Sequence, residues 1–243
     1  MTPTDPHAWP ACGRLVPVAP DLWVARHPLR LLGMPMTAAM TVARLDDRLW
    51  VQSPIPRSAA LRAELDALGR VAWAVAPNRH HHLFARAFAA AYPDAQLFVA
   101  PGLSSKVAAL AAYPTLPTLP ADTAAPWRDE IASLLIAGND QMNETVFFHR
   151  ASRSLIVADL GVHLGPWDAP ITRLYARLNG CYGRFGQTML LKMLYRDKAA
   201  ARAALQNVLS WQFTRFVPAH GPVIEHDARI AFEKACAWLL HAG

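Results

Sequence analysis

Three polar punctuations interrupt an otherwise apolar chain. They are Asn78-Arg79-His80-His81-His82 after VAWAVAP, Asp159 at the end of SRSLIVADL, and His220-Gly221 at the end of FTRFVPAHG. Imidazole and carboxylate are the ligand types that hold zinc or iron while leaving a position open for water. Each group follows a run of strand character, and loops at strand ends are where layered folds carry function. The three are far apart in the chain, so only the fold can bring them together. Each also has a plain structural role: histidines decorate a helix start, an aspartate bonds loop N–H groups, and His-Gly makes a turn. Adjacent His81 and His82 point about 100° apart on a helix, so both can reach one ion only on an irregular turn.

Other candidates are accessory. Asn78 and His80 belong to the same polar knot. Glu144 heads its strand and reads as a carboxylate behind the site or a plain edge residue. His163 lies just past Asp159, and His149, between two strands, reads as a surface residue. Serine hydrolase chemistry lacks a Gly-x-Ser-x-Gly elbow. Gly180, Gly183 and Gly186 do not follow a strand, which excludes a phosphate-cradling loop.

The elements that must position these residues can be read from periodicity. Residues 14–27, with Pro17 and Pro20, read as short edge strands. MTAAMTVARLDDRLWVQSP reads as a hairpin turning at Asp46-Asp47. Residues 58–69 read as a helix capped by Ser58 and ended by Gly69. VAWAVAP is a continuous apolar run, as expected of a buried strand. The helix LFARAFAAAY, the strand AQLFVAPG and the helix SSKVAALAAY follow, then a proline-rich loop over 114–126. IASLLIAG is a strand, and ETVFFHR and SRSLIVADL pair around Ala151-Ser152. Residues 170–196 and 198–211 read as helices with a glycine-rich break at 180–186. FTRFVPAHG is a last strand and 227–242 a last helix. Strands, then strand–helix alternation, then helices suit a layered sheet-on-sheet sandwich covered by helices on both outer faces.

Composition narrows the class. The chain has 243 residues, 53% apolar and 17% charged, which excludes intrinsic disorder. No uncharged stretch reaches the roughly 18 residues of a membrane span. Cys12, Cys181 and Cys236 are widely spaced, with no Cys-x-x-Cys, which excludes a zinc ribbon or disulfide framework and fits a reducing compartment. MTPTDPHAWPACGRL carries no cationic region followed by an apolar run, so a cytoplasmic protein is expected. Net charge is +6. Arg173, Arg177, Arg184, Lys192, Arg196, Lys198 and Arg202 face only Asp197. That stretch could hold an anionic substrate, nucleic acid or an acidic membrane surface. Tyr175, Tyr182, Phe185 and Tyr195 among the cations fit helix packing as well as base stacking, so a solvated basic face is expected instead.

In this order of motifs the chain resembles the metallo-β-lactamase superfamily over roughly residues 14–240, most of all a bacterial branch with a degenerate His-x-His-x-Asp-His loop. The resemblance implies an α+β, αββα four-layer sandwich, formed by one domain over 1–243 with a helical insertion at about 166–211. One alignment of the loop sets HHLF against Asp-His-x-Gly. His81 then stands at the motif's Asp, His82 at its last His, and Pro77 and Arg79 at its first two His. The family's middle His falls near Gly138-Asn139, Asp159 matches the bridging Asp, and His220 the late His. The metal position built from Pro77, Arg79, Asn139 and Asp159 is thereby lost. The position built from His81, His82, Asp159 and His220 keeps competent ligands. Another alignment pairs Asn78, His80 and His82 with the first two His and the Asp, puts Leu83 at the last His, and supplies a poorer set.

The implied cofactor is one divalent metal, zinc before iron or manganese. The implied catalytic residues are Asp159 and Arg79, with Arg79 orienting an anionic group or stabilising oxyanion charge. The implied activity is hydrolysis of an ester-, lactone-, thioester- or phosphoester-type small molecule. The alternative is a catalytically inactive, metal-free relative that binds a small molecule or a protein, which the replaced ligand positions motivate.

Overall fold

The hairpin around Asp46-Asp47 forms as its residues predict. In the computed structural model, which describes residues 12–31, 33–117 and 125–241, β3 (Met34–Leu45) and β4 (Arg48–Gln52) pair antiparallel with Leu45 opposite Arg48. Asp46 takes φ +57°, a left-handed conformation that Asp tolerates better than most L residues. β3 also pairs with β2 (Leu22–Leu31), and β2 with β1 (Val16–Ala19). Residues 14–27 are therefore not all edge. Pro20 falls in the turn before Asp21 (φ +56°), which frees β2 to run inside the sheet, and only β1 is at the margin.

Parallel strands β5 (Arg70–Ala76) and β6 (Gln96–Val99) complete a six-stranded sheet in the order β1–β2–β3–β4–β5–β6. The unbroken apolar run of β5 fits a parallel strand covered on both faces, and all its residues after Arg70 are buried. Helices α1 (Ala59–Leu68) and α2 (Ala85–Ala91) pack against it. Ser58 caps α1, its Oγ accepting the Leu61 N–H at 3.0 Å.

The second sheet is built from β7 (Ile131–Leu135), β8 (Thr145–His149), β9 (Ser154–Val157) and β12 (Arg215–Pro218), in the order β12–β9–β8–β7. A two-stranded pair, β10 (Val162–Leu164) with β11 (Arg184–Gly186), lies between β9 and β12 in the chain. The period-two rule of strands sorts the second sheet's side chains. Ile131, Phe147, Ile156 and Val217 join the core of the first sheet, with the Trp50 and Phe147 rings 4.9 Å apart. Ala132, Val146, Phe148, Leu155, Val157 and Phe216 turn the other way, toward α6 (Lys198–Ser210) and α7 (Ala228–Leu240). The helices supply matching stripes: Ala201, Ala204, Leu205 and Val208 on α6, and Ala228, Phe232, Ala235, Cys236 and Leu239 on α7. Helix, sheet, sheet, helix is the expected α+β layering.

Three sequence expectations change. SSKVAALAAY is not one helix: α3 is only Leu103–Lys106, because Val107 is extended (φ −131°), and a single 3-10 turn follows at Ala108–Leu110. Residues 170–196 are not a broken helix either. α4 (Pro170–Leu178) and α5 (Met189–Met193) flank a segment in which Gly180 and Gly183 turn at φ +67° and +68°, and that segment supplies β11. The stretch at 166–211 is thus helical with a strand inside it. His149, read as a surface residue, is buried at the end of β8 and bonds Ser152 Oγ through Nδ1 at 2.7 Å. Residues 1–11 and residues 118–124 of the proline-rich loop lie outside the described residues.

Candidate functional site

The two sheets are stitched together at one end by backbone bonds. Ala39 N–H donates to the Ala219 carbonyl at 2.8 Å, and Thr145 N–H to the Pro77 carbonyl at 2.8 Å. These bonds hold the segments after β5, β9 and β12 side by side. Among the described residues, one group of three metal-ligating side chains converges there: His81, Asp159 and His220, with ligand atoms all within 4.8 Å of one another.

The local turn explains how His81 arrives. Asn78 is fully buried, and its Oδ1 accepts the N–H groups of both His80 and His81 at 2.8 Å. That Asx-type turn breaks regular helical geometry and turns His81 inward. The Asn78 amide works on its other side too, donating to Asp159 Oδ2 at 2.8 Å and to Glu144 Oε2 at 3.3 Å. Glu144 is buried and accepts the Ala158 N–H (2.8 Å) and the Asp159 N–H (2.7 Å). It therefore fixes the backbone that carries Asp159. Burial, and then the nearby Asp159 carboxylate, push the Glu144 carboxyl up to about 7 against those donors.

Each ring in the cluster is oriented from behind. His220 Nδ1 lies 2.7 Å from the Thr37 carbonyl. A carbonyl only accepts, so Nδ1 carries the proton and Nε2 faces the cluster. His81 Nδ1 lies 3.0 Å from Ser53 Oγ, which leaves its Nε2 facing the cluster as well. His81 Nε2 is 3.1 Å from His220 Nε2 and 3.4 Å from Asp159 Oδ2, and His220 Nε2 is 3.1 Å from Asp159 Oδ1. Electron pairs aimed at one another at these distances repel unless a proton or cation sits among them. Burial opposes charge on both Asp159 and His220. Attraction wins: His81 first and then His220 hold the Asp159 carboxyl well below its usual range, and Asp159 raises the His220 imidazole.

The remaining sequence candidates take other places. His82 does not join the cluster. Its N–H donates to the His80 carbonyl and its carbonyl accepts from Ala85 N–H at the start of α2. His80 is exposed and bonds the Gln141 carbonyl at 3.2 Å. Arg79 donates from Nη1 to the Asp140 carbonyl at 2.6 Å, which holds its guanidinium on the neighbouring loop rather than at the cluster. His163 donates its N–H to the His220 carbonyl (2.7 Å), and its ring packs edge-on against Trp167. Asn139, near where the family's middle His is expected, is buried and closes a turn on the Met142 N–H. A cavity of about 580 Å³, within the usual ligand range, is lined by His163, Arg184, Lys192, Ile224, Asp227 and Lys234 but by none of the three converging residues.

Two contributors have no place among the sequence candidates. Ser53, buried and at φ +54°, orients His81. The rule that singles out Asp159, a polar residue where an apolar strand ends, also fits Ser53 in VQSP. Arg26 is buried and donates from Nη2 to the Gly221 carbonyl at 3.0 Å; nothing in the local sequence marks that contact. Gly221 itself permits a close crossing. Its φ is +125°, and a Cβ there would stand 2.1 Å from the His163 carbonyl oxygen.

The donor set fits one metal ion. Two neutral imidazoles and a carboxylate make three ligands and leave a fourth position open, the pattern of catalytic rather than structural zinc. The hydrogen bonds behind His81, His220 and Asp159 are the kind that orient metal ligands.

Comparison with known proteins agrees with this architecture. The metallo-β-lactamase FIM-1 from Pseudomonas aeruginosa, in its mono-zinc form, superposes with a TM-score of 0.63 at 10% identity, over 94% of this chain and 96% of that one. A diflavin flavoprotein A 5 fragment from Nostoc gives 0.63 at 14%, over 93% and 94%. The Flv1 flavodiiron core from Synechocystis gives 0.61 at 14%, over 93% of this chain and 60% of that one. Identities this low establish the fold alone, that of the metallo-β-lactamase superfamily. No curated protein sequence matches the chain. A family model described as a domain of unknown function, DUF4336, matches residues 21–182, and the chain belongs to that family.

Proposed function

We propose that the protein is a mononuclear metal-dependent hydrolase of a small ester, lactone, thioester or phosphoester, acting as a single cytoplasmic domain. The observation that carries this reading is the inward facing of two imidazole Nε2 atoms and a carboxylate onto a common point, each held from behind by a hydrogen-bond partner. His81, Asp159 and His220 are the ligands in this reading. Zinc is the first expectation, with iron and manganese compatible with the same donors. When bound, the ion supplies Lewis acidity and activates water near neutral pH.

The chain's own groups do the rest. Thr37 and Ser53 hold the two rings so that Nε2 is the free nitrogen. Asn78 and Glu144 hold the Asp159 carboxylate and its backbone. Glu144, pushed up to about 7, is placed behind Asp159 to hold a proton or release it as the charge on that carboxylate changes.

The test is metal content by elemental analysis, on protein purified without chelator in zinc-supplemented medium. About one equivalent is expected in the wild type, and less than about one-tenth in His220→Ala. Equal metal in both proteins would refute the ligand assignment. Less than one-tenth in the wild type itself would leave the metal-free binding module as the better account.

A further inference from the structure

Helix α4 is built with its apolar stripe outward. It buries Thr172 and Ala176, and Thr172 Oγ1 donates to the Pro35 carbonyl at 2.6 Å, which anchors that face to β3. Ile171, Leu174 and Leu178 recur at i, i+3 and i+7, so they share one stripe. They are 52%, 51% and 79% exposed. A helix on a globular protein ordinarily turns such a stripe inward.

Helix α5 repeats the inversion. It buries Leu191 and leaves Met189, Leu190 and Met193 exposed. Asn179 Oδ1 accepts the Met189 N–H at 2.9 Å, so the end of α4 abuts the start of α5. Clustered exposed apolar side chains of this size mark an interaction surface.

Charge selects the occupant. Residues 170–196 contain Arg173, Arg177, Arg184, Lys192 and Arg196, and neither Asp nor Glu. A second copy of the chain would set cations against cations. A nucleic acid would meet the cations but leave the apolar side chains uncovered. The surface of an anionic lipid bilayer satisfies both: headgroup phosphates take the cations, and the upper acyl region takes the leucines and methionines. Long Arg and Lys stems suit that boundary, because the stem lies in the apolar layer while the head stays at the phosphates.

We propose that the α4–α5 surface docks this protein onto an anionic bilayer, peripherally. The inference is independent of any metal at His81, Asp159 and His220.

Vesicle co-sedimentation of the full chain tests it. The probes are phosphatidylcholine vesicles with and without phosphatidylglycerol. Binding is expected on the mixed vesicles and to weaken at least about tenfold on pure phosphatidylcholine or in high salt. The pair Leu178→Ser with Met193→Ser, and separately the pair Arg173→Gln with Arg177→Gln, should each weaken it at least about tenfold. Both apolar positions are exposed, so circular dichroism and melting temperature should match the wild type and exclude misfolding. Absence of binding to the mixed vesicles, or binding that neither pair alters, overturns the proposal. A dimer in sedimentation velocity that Leu178→Ser with Met193→Ser dissociates would assign the surface to a second copy and overturn it as well.

Discussion

The strand-end cluster and the α4–α5 surface break the same rule in opposite directions. The first buries His220 and half-buries His81 and Asp159; the second exposes Ile171, Leu174, Leu178, Met189, Leu190 and Met193. Buried polar groups persist when their hydrogen bonds are complete. Here the Thr37 carbonyl, Ser53 and the Asn78–Glu144 pair complete them. No such network supports the exposed leucines, so nothing in the fold depends on them. The difference teaches which substitutions should reach the fold and which should reach only a surface property.

The largest effect is expected where the cluster's backbone is tightest. Gly221→Ala places a Cβ 2.1 Å from the His163 carbonyl oxygen and forces an L residue to φ +125°. Unfolding in urea should show a loss of about 3 kcal/mol or more, with the metal content of any folded fraction reduced, because His220 is the adjacent residue. A loss below about 1 kcal/mol would mean that the crossing relaxes easily and that the cluster is less rigid than its hydrogen bonds imply.

Asn78→Ala comes next. It leaves the His80 and His81 N–H groups without their acceptor and removes the donor to Asp159 and Glu144. The expected cost is about 1–3 kcal/mol, with zinc affinity about 10–100-fold weaker. Competition with a chromogenic chelator reads the affinity. An unchanged affinity would reduce Asn78 to a turn former.

pH sharpens the comparison further, because the cluster titrates and the exposed apolar face does not. The Glu144 carboxyl is raised from 4.5 to about 7 by burial and then by Asp159. The folded state therefore holds more protons than the unfolded one across that window, and stability falls as pH rises through it. His220 is raised as well. Its contribution is present below 6.5 and is lost as pH climbs past its folded value. Asp159, held low, contributes above 3.8 and loses that contribution only as pH falls toward its folded value. His27, His80, His82, His149 and His163 are lowered by burial and pull the total the other way. The Glu144 contribution is therefore read as a difference between chelator-treated wild type and Glu144→Gln. Zinc affinity should rise over about pH 5 to 7.5 as protons leave the ligands. The stability of wild type relative to Glu144→Gln should fall as pH rises from about 4.5 to 7. A difference that stays level or grows over that window would reverse the assignment of Glu144.

The strand ends that converge were legible in the sequence; of the surface, the basic charge over 173–202 was legible and the outward turn of its apolar stripe was not. His81, Asp159 and His220 stand where apolar runs end, and a six-residue window shows that. The layered sandwich was legible for the same reason, since VAWAVAP, ETVFF and SLIVAD each declare a strand. His82 stands outside the converging group because adjacency says nothing of direction: the Asn78 turn brings His81 to Asp159 and His220, and His82 sits in the turn before α2. Arg79 failed because a carbonyl from a loop some sixty positions away, at Asp140, claims its guanidinium. The α4 stripe has the period of a buried face. Only the Thr172 bond to Pro35 shows which side the helix turns to the sheet, and no local pattern encodes that choice.

The smallest expected effect on stability is therefore the most informative about the surface. Leu178→Ser removes a side chain that is 79% exposed, so little apolar burial is lost and the change should stay within about 0.5 kcal/mol. Serine is a somewhat weaker helix former than leucine, and position 178 ends the helix, where propensity matters least. Urea unfolding of this variant beside Gly221→Ala places the two regions on one scale. A loss above about 1.5 kcal/mol would show that Leu178 is covered in the folded protein, and the contrast between a supported polar interior and an unsupported apolar exterior would fail at that point. A near-zero loss leaves six apolar side chains whose exposure folding does not require.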